Sequence, residues 1–130
     1  MQFMCLVHFE AGAFDGMSEA EGRALTDATV LHDHDLRRRG HLLVARPLAR
    51  PDTAATVRVR KGRVKRSDGP FAESKEWIGG FLLLEARDLE EAVALAAESP
   101  IAEYADIEIR PIVEQTHSET GLERPGVLGA

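Results

Sequence analysis

The chain has 130 residues, the size of one domain, long enough to enclose one core and too short for separate catalytic and regulatory halves. Its net charge of −6 argues against broad nucleic-acid binding, because an acidic chain repels the phosphate backbone unless its basic residues gather on one face. No apolar run reaches the about 18 residues that cross a bilayer, and Gln2, His8 and Glu10 stand where a signal peptide is basic and then apolar, so the expectation is a cytoplasmic protein with no membrane partner.

Gln2 to Phe9 reads as a strand with Phe3, Cys5, Val7 and Phe9 on one side and Met4, Leu6 and His8 on the other. Both sides are largely apolar, so both face something other than water. Cys5, the one cysteine, cannot form an internal disulfide, and its apolar run favours a packed thiol over a nucleophile. Ser18 with Glu21 forms a capping box that opens a helix, along which Leu25, Ala28, Thr29, His32 and Leu36 recur on one stripe until Gly40 ends it. His34, two residues beyond His32, is turned to the opposite, wet face.

Leu42 to Ala45 is a second short strand, left through Pro47 and Pro51. Thr56–Arg60 and Arg63–Ser67 alternate around Lys61-Gly62 as a tight hairpin, and Asp68-Gly69-Pro70 makes a further turn. Ile78 to Glu85 is the most apolar strand, expected at the centre of the sheet and entered through Gly79-Gly80, where a bulge or a close backbone approach is expected. Asp88 with Glu91 opens a second helix with the stripe Leu89, Ala92, Val93 and Ala96, stopped by Ser99-Pro100. Ile107, Ile109 and Val113 alternate in a last strand, and residues 114–130 read as a flexible, polar tail or an arm crossing to a partner.

This order is a split βαβ arrangement, βαβ(ββ)βαβ, in which two helices cover one face of an antiparallel sheet. The apolar second face then calls for a second copy of the chain, so a homodimer is expected.

Asp68-Gly69-Pro70-Phe71-Ala72-Glu73-Ser74-Lys75-Glu76, followed by Gly79-Gly80-Phe81 and by a helix ending in Ser99-Pro100, resembles the signature of the DGPF, or YCII-related, domain family. The resemblance runs from Met1 to about Val113 and leaves the tail outside. It implies a ferredoxin-like α+β fold that pairs through its open sheet face into a dimeric α+β barrel. It implies little about function: most members have no known activity, many are encoded near alternative sigma factors, and a few relatives resemble dehydrochlorinases of chlorinated hydroquinones. The wider family carries a His and Asp pair, the His on the first helix. Here that position falls near Thr29, with His32 one turn later, and Ser99 stands where many relatives have Asp.

His32 on the inner stripe, with Asp68, is the candidate acid–base pair, since a histidine titrates near neutrality. The alternative is a hydrogen-bonded histidine at the helix–sheet contact. Glu73, Lys75 and Phe71 are candidate ligand-binding residues around the turn, able to hold a small anionic or phenolic molecule. A structural reading of the same turn has Phe71 anchoring it in the core. His32-Asp33-His34 is no metal site, because consecutive helical residues do not converge on one ion, and Gly79-Gly80 lacks the context of a phosphate loop, so neither a metal nor a cofactor is expected.

Arg58, Arg60, Lys61, Arg63, Lys65 and Arg66 crowd the hairpin, with Arg60 expected to face Arg63 and Arg58 to face Lys65. That crowding suggests solvated side chains or an acidic protein partner, and the lack of interleaved aromatics argues against nucleic acid. Two functions stay open: a small-molecule enzyme or binder with a pocket near the dimer interface, or a non-enzymatic regulatory or interaction module associated with an alternative sigma factor.

Overall fold

The alternation in Gln2–Glu10 produces strand β1 with Phe3, Cys5, Val7 and Phe9 buried on one face, and Met4, Leu6 and His8 half-buried on the other. The computed structural model describes residues 1–71 and 75–128. After β1 come helix α1 (Glu19–Arg38), strand β2 (Leu42–Pro47), the hairpin strands β3 (Ala55–Arg60) and β4 (Arg63–Asp68), strand β5 (Glu76–Glu85), helix α2 (Leu89–Ala97) and strand β6 (Asp106–Pro111).

Four strands form one sheet in the order β2-β5-β1-β6, and every pairing in it is antiparallel. With the hairpin set aside, this is the expected split βαβ order, and β5 is interior as expected; the layout is compatible with a ferredoxin-like α+β fold. Both helices cover the same face. Leu36 of α1 and Ala92 and Leu95 of α2 close over Phe3, Cys5, Leu42 and Leu84, and each fully buried Phe or Leu contributes about 1.5–3 kcal/mol. Burial also pushes the Cys5 thiol up to about 11, as a packed rather than nucleophilic cysteine requires.

Local signals set the helix ends. The Ser18 hydroxyl accepts from the Glu21 amide and the Asp88 carboxylate from the Glu91 amide, the expected caps of α1 and α2. The stripe of α1 also faces inward, with Leu36 buried and Leu25, Ala28, Thr29 and His32 half-buried. That of α2 holds in part: Ala92 and Ala96 are buried together with Leu95, while Leu89 and Val93 are exposed. Val113 is likewise exposed and outside β6.

The two glycines entering β5 act differently. The β1–β5 register slips between Val7, opposite Gly80, and His8, opposite Ile78, so Gly79 is the bulged residue. A side chain on Gly79 would run into the Phe9 ring, while one on Gly80 would stand 3.0 Å from the Arg46 carbonyl oxygen of β2. Both the bulge and the close approach are present.

On the face away from the helices, register places Met4, Leu6 and His8 beside Leu83, Phe81 and Ile78, with Val44 and Arg46 on the β2 side and Asp106, Glu108 and Arg110 on the β6 side. Leu83 is buried there, and Met4, Leu6, Val44 and Phe81 are half-buried. The β3–β4 hairpin forms a separate two-stranded ribbon, turning through Lys61 and Gly62 at positive φ, as a two-residue loop demands. Its register sets Arg58 opposite Lys65 and Arg60 opposite Arg63, as expected. Residues 115–124 of the tail fold back on themselves, with a bridge between Thr116 and Glu123 and a 2.7 Å bond from Arg124 to the Gln115 side chain. Among the described residues no helix is long and apolar enough to cross a membrane.

Candidate functional site

His32 lies in the helix layer. Both its ring nitrogens are buried without a hydrogen bond, and Nε2 stands 3.5 Å from Glu98 Oε1 at the end of α2. Glu98 itself is held by Arg39, through bonds of 2.7 and 3.2 Å, and Arg39 also binds Asp35 at 3.0 Å. Arg39 keeps the Glu98 carboxyl below its ordinary range, and hydrogen bonds from Arg38 first and then Arg39 do the same for Asp35. Asp33, half-buried, moves the other way because burial disfavours its charge, an effect that the neighbouring His32 and His34 partly oppose. His34 is exposed, as its helical position predicts.

Asp68 closes β4, exposed, with its carboxylate 3.1 Å from Arg66 Nε. No described hydrogen bond or ion pair joins Asp68 to His32; one belongs to the ribbon and the other to the helices. The turn beyond Asp68 has Gly69 at positive φ, its amide bonded to the Ala54 carbonyl at 2.7 Å, which ties off the base of the ribbon. Phe71 does not anchor this turn in the core: it is 90% exposed. Lys75 is exposed, and its carbonyl accepts from the Ala11 amide at 2.9 Å. Glu73 lies outside the described residues.

The turn does line a cleft. Pro70 and Phe71 form one wall, Leu48, Arg50 and Pro51 another, and His8, Glu76, Trp77 and Ile78 the floor at the end of the open sheet face. Its volume is about 980 Å³, at the upper end of the roughly 300–1,000 Å³ of small-ligand sites, and its surface is mainly apolar. Neither His32 nor Asp68 lines it.

One polar pair serves this cleft. His8 Nε2 stands 3.0 Å from Glu108 Oε1 on β6, a contact set by the β1–β6 register, which places Glu108 opposite Leu6 and so diagonal to His8. A carboxylate at one imidazole nitrogen orients the ring and leaves Nδ1 without a partner among the described residues. Sequence reasoning missed this role. The available signal was a lone histidine among the apolar residues of β1, but its partner lies 100 residues on. Near the same end, Glu10, Glu76 and Asp106 bring carboxylate oxygens within 4.8 Å of one another, all exposed.

The family model of the YCII-related domain matches residues 1–116. An uncharacterized protein of Rhizobium meliloti (strain 1021) is 38% identical over 87 residues, a stretch covering 63% of this chain and 64% of that protein. A solved structure of 5-chloro-2-hydroxyhydroquinone dehydrochlorinase from Burkholderia phenoliruptrix AC1100, in complex with 2,5-dihydroxybenzoquinone, aligns over 88% of this chain and 96% of its own, with 16% identity and a TM-score of 0.47. The chain belongs to the YCII-related domain family.

Proposed function

We infer, from that membership as premise, that this YCII-related domain binds a small ring-bearing molecule, phenolic or anionic, and exchanges a proton with it in the cleft beside the Asp68–Phe71 turn. The observation that carries this reading is His8, paired with Glu108, on the lining of a mainly apolar cleft. Phe71, Ile78 and Leu48 supply flat and aliphatic surfaces for a ring, Arg50 supplies positive charge, and His8 supplies the group that takes or gives a proton. With Nε2–H donating to Glu108, Nδ1 is the acceptor for a ligand hydroxyl. A second copy of the chain covers the half-apolar open face and borders the cleft, giving a homodimer closed as an α+β barrel. An acid–base role for His32 with Asp68 is the rival assignment, favoured by the unbonded, buried His32 ring.

Thermal shift with hydroquinone and a series of hydroxybenzoates tests the reading. A ligand at one hundred times its Kd stabilises the native state by about 2.7 kcal/mol, so binding raises the wild-type melting temperature by several degrees. In His8→Ala the rise is lost while the unliganded melting temperature stays close to that of the wild type; in His32→Ala the rise persists. A rise retained by His8→Ala and lost from His32→Ala transfers the role to His32. No rise with any of these compounds refutes the ligand class.

A further inference from the structure

The outer edge of β3 pairs with no other strand among the described residues, since the β3–β4 ribbon stands apart from the main sheet. Arg60 and Arg63 flank its two-residue loop. In such a hairpin the residues that close the loop exchange both backbone hydrogen bonds and bonded pairs alternate from there, so Arg58 and Thr56 also bond inward while Val57 and Val59 turn their amides and carbonyls outward. The bond from the Gly69 amide to the Ala54 carbonyl continues the same alternation, and the Arg60 guanidinium bonds the outward Val59 carbonyl at 2.9 Å. An open strand edge of this kind is a template for one more strand.

The two sides of the ribbon at that edge differ in chemistry. One carries Arg58 and Arg60, with Lys65 and Arg63 directly across from them, all exposed. The other carries Val57 and Val59, 69% and 51% exposed, with Val64 opposite Val59. The ion pair of the ribbon, Arg66 with Asp68, lies on the valine side, and the four cations of the first side have no carboxylate partner among the described residues. Like charges facing across strands are destabilising, and a carboxylate brought beside them relieves that. Residues 56–67 contain six of the sixteen basic residues and none of the twenty-two acidic ones, so the remainder of the molecule carries ten positive charges against twenty-two negative. That surplus repels a long polyanion such as nucleic acid, and no aromatic side chain stands on β3 or β4 for bases to stack on.

We propose that the outer edge of β3 is a docking site for an extended peptide of a partner protein whose side chains alternate acidic and apolar. A strand added antiparallel to β3 lies in the plane of the ribbon, so its successive side chains fall on opposite sides, those of one side about 6.8 Å apart. Its apolar residues stand beside Val57 and Val59 and its carboxylates beside Arg58 and Arg60, so the two sides of one strand meet the two chemistries of the ribbon. Backbone bonds to Val57 and Val59 supply affinity, the Val59 carbonyl exchanging the Arg60 guanidinium for a peptide amide, and the alternation supplies specificity. No residue of β3 lines the cleft, so this site is separate from the ligand reading.

Fluorescence anisotropy of a labelled Glu-Val-Glu-Val-Glu-Val-Glu peptide, titrated with the full-length chain, tests the edge. Saturable binding is expected, weakened by about tenfold or more when salt rises from about 0.05 to about 0.5 M and shortens the screening length severalfold. The block peptide Glu-Glu-Glu-Glu-Val-Val-Val has the same charge and composition without the alternation, and should bind about tenfold more weakly or worse. N-methylation of the alternating peptide at its valines, whose amides face β3, should abolish binding, while N-methylation at its glutamates should not. Arg58→Glu with Arg60→Glu should lose the acidic peptide and come to prefer Lys-Val-Lys-Val-Lys-Val-Lys over its block isomer, a swap that a merely unfolded ribbon does not produce. No binding of the alternating peptide, equal binding of the block peptide, an equal effect of the two methylations, or a charge-reversed variant with no such preference overturns the proposal. So does a single-stranded oligonucleotide bound at the ribbon more tightly than the peptide.

Discussion

Gly79→Ala places one methyl group where the bulge of β5 leaves no space. The new Cβ collides with the Phe9 ring and stands 3.1 Å from the Trp77 ring. Phe9 cannot swing aside: it is 8% exposed and packed between Phe14 at 5.0 Å and Trp77 at 5.1 Å between ring centroids. Overpacking of this kind costs about 1–3 kcal/mol, and a blocked ring puts the cost at the upper end. Replacing a strand glycine returns about 0.5–1 kcal/mol of backbone entropy, which leaves a net loss of about 2 kcal/mol. For a domain of this size that lowers Tm by about 6–10 °C, and urea denaturation should show a lower midpoint with an unchanged slope. In a Phe9→Leu background the same substitution should cost less than half as much, since the colliding ring atoms are gone. A neutral Gly79→Ala, or an undiminished cost without the Phe9 ring, refutes the packing argument.

Two predictions concern pH. Burial raises Cys5 to about 11 from an ordinary 9.0, so the folded state favours the neutral thiol: its contribution to stability is complete below pH 9 and declines as pH climbs toward 11. Denaturation of wild type and Cys5→Ala over that range should show a loss specific to the wild type, and a parallel pair of curves counts against it. The opposite sign holds for Glu98, whose carboxyl Arg39 holds below its ordinary 4.5: its contribution is present above that value and disappears as pH falls through the lower folded value. Glu98→Gln should therefore flatten the acid limb of the stability profile, and an acid limb as steep as that of the wild type contradicts the assignment.

Features set by neighbours in the chain were legible in the sequence. Ser18 and Asp88 cap helices through groups three residues away, and Lys61-Gly62 can adopt the turn it occupies without help from elsewhere. Once that turn was read, the facing of Arg58 with Lys65 followed, because strand register is counted outward from the loop. The face of α2 was less legible. Its nine residues are nearly all Ala, Leu and Val apart from the two glutamates of its first turn, so periodicity offers no contrast between sides, and tertiary packing chose Ala92, Leu95 and Ala96. Phe71 misled for a different reason: a large apolar side chain favours burial, but burial also needs a neighbouring surface that the local sequence does not specify, and here the ring is exposed. The His8–Glu108 pair required the register of two strands separated by most of the chain, which no local motif encodes.

Trp77 is the one tryptophan of the chain, half-buried beside the cleft with its ring packed on Phe9. The protein thus has a built-in optical reporter at a single place, so emission from this one indole reads its surroundings with no second indole contributing. Displacing water from the adjoining cleft should move the emission to shorter wavelength. Occupancy can therefore be followed in the unlabelled native chain, in real time and without altering a residue.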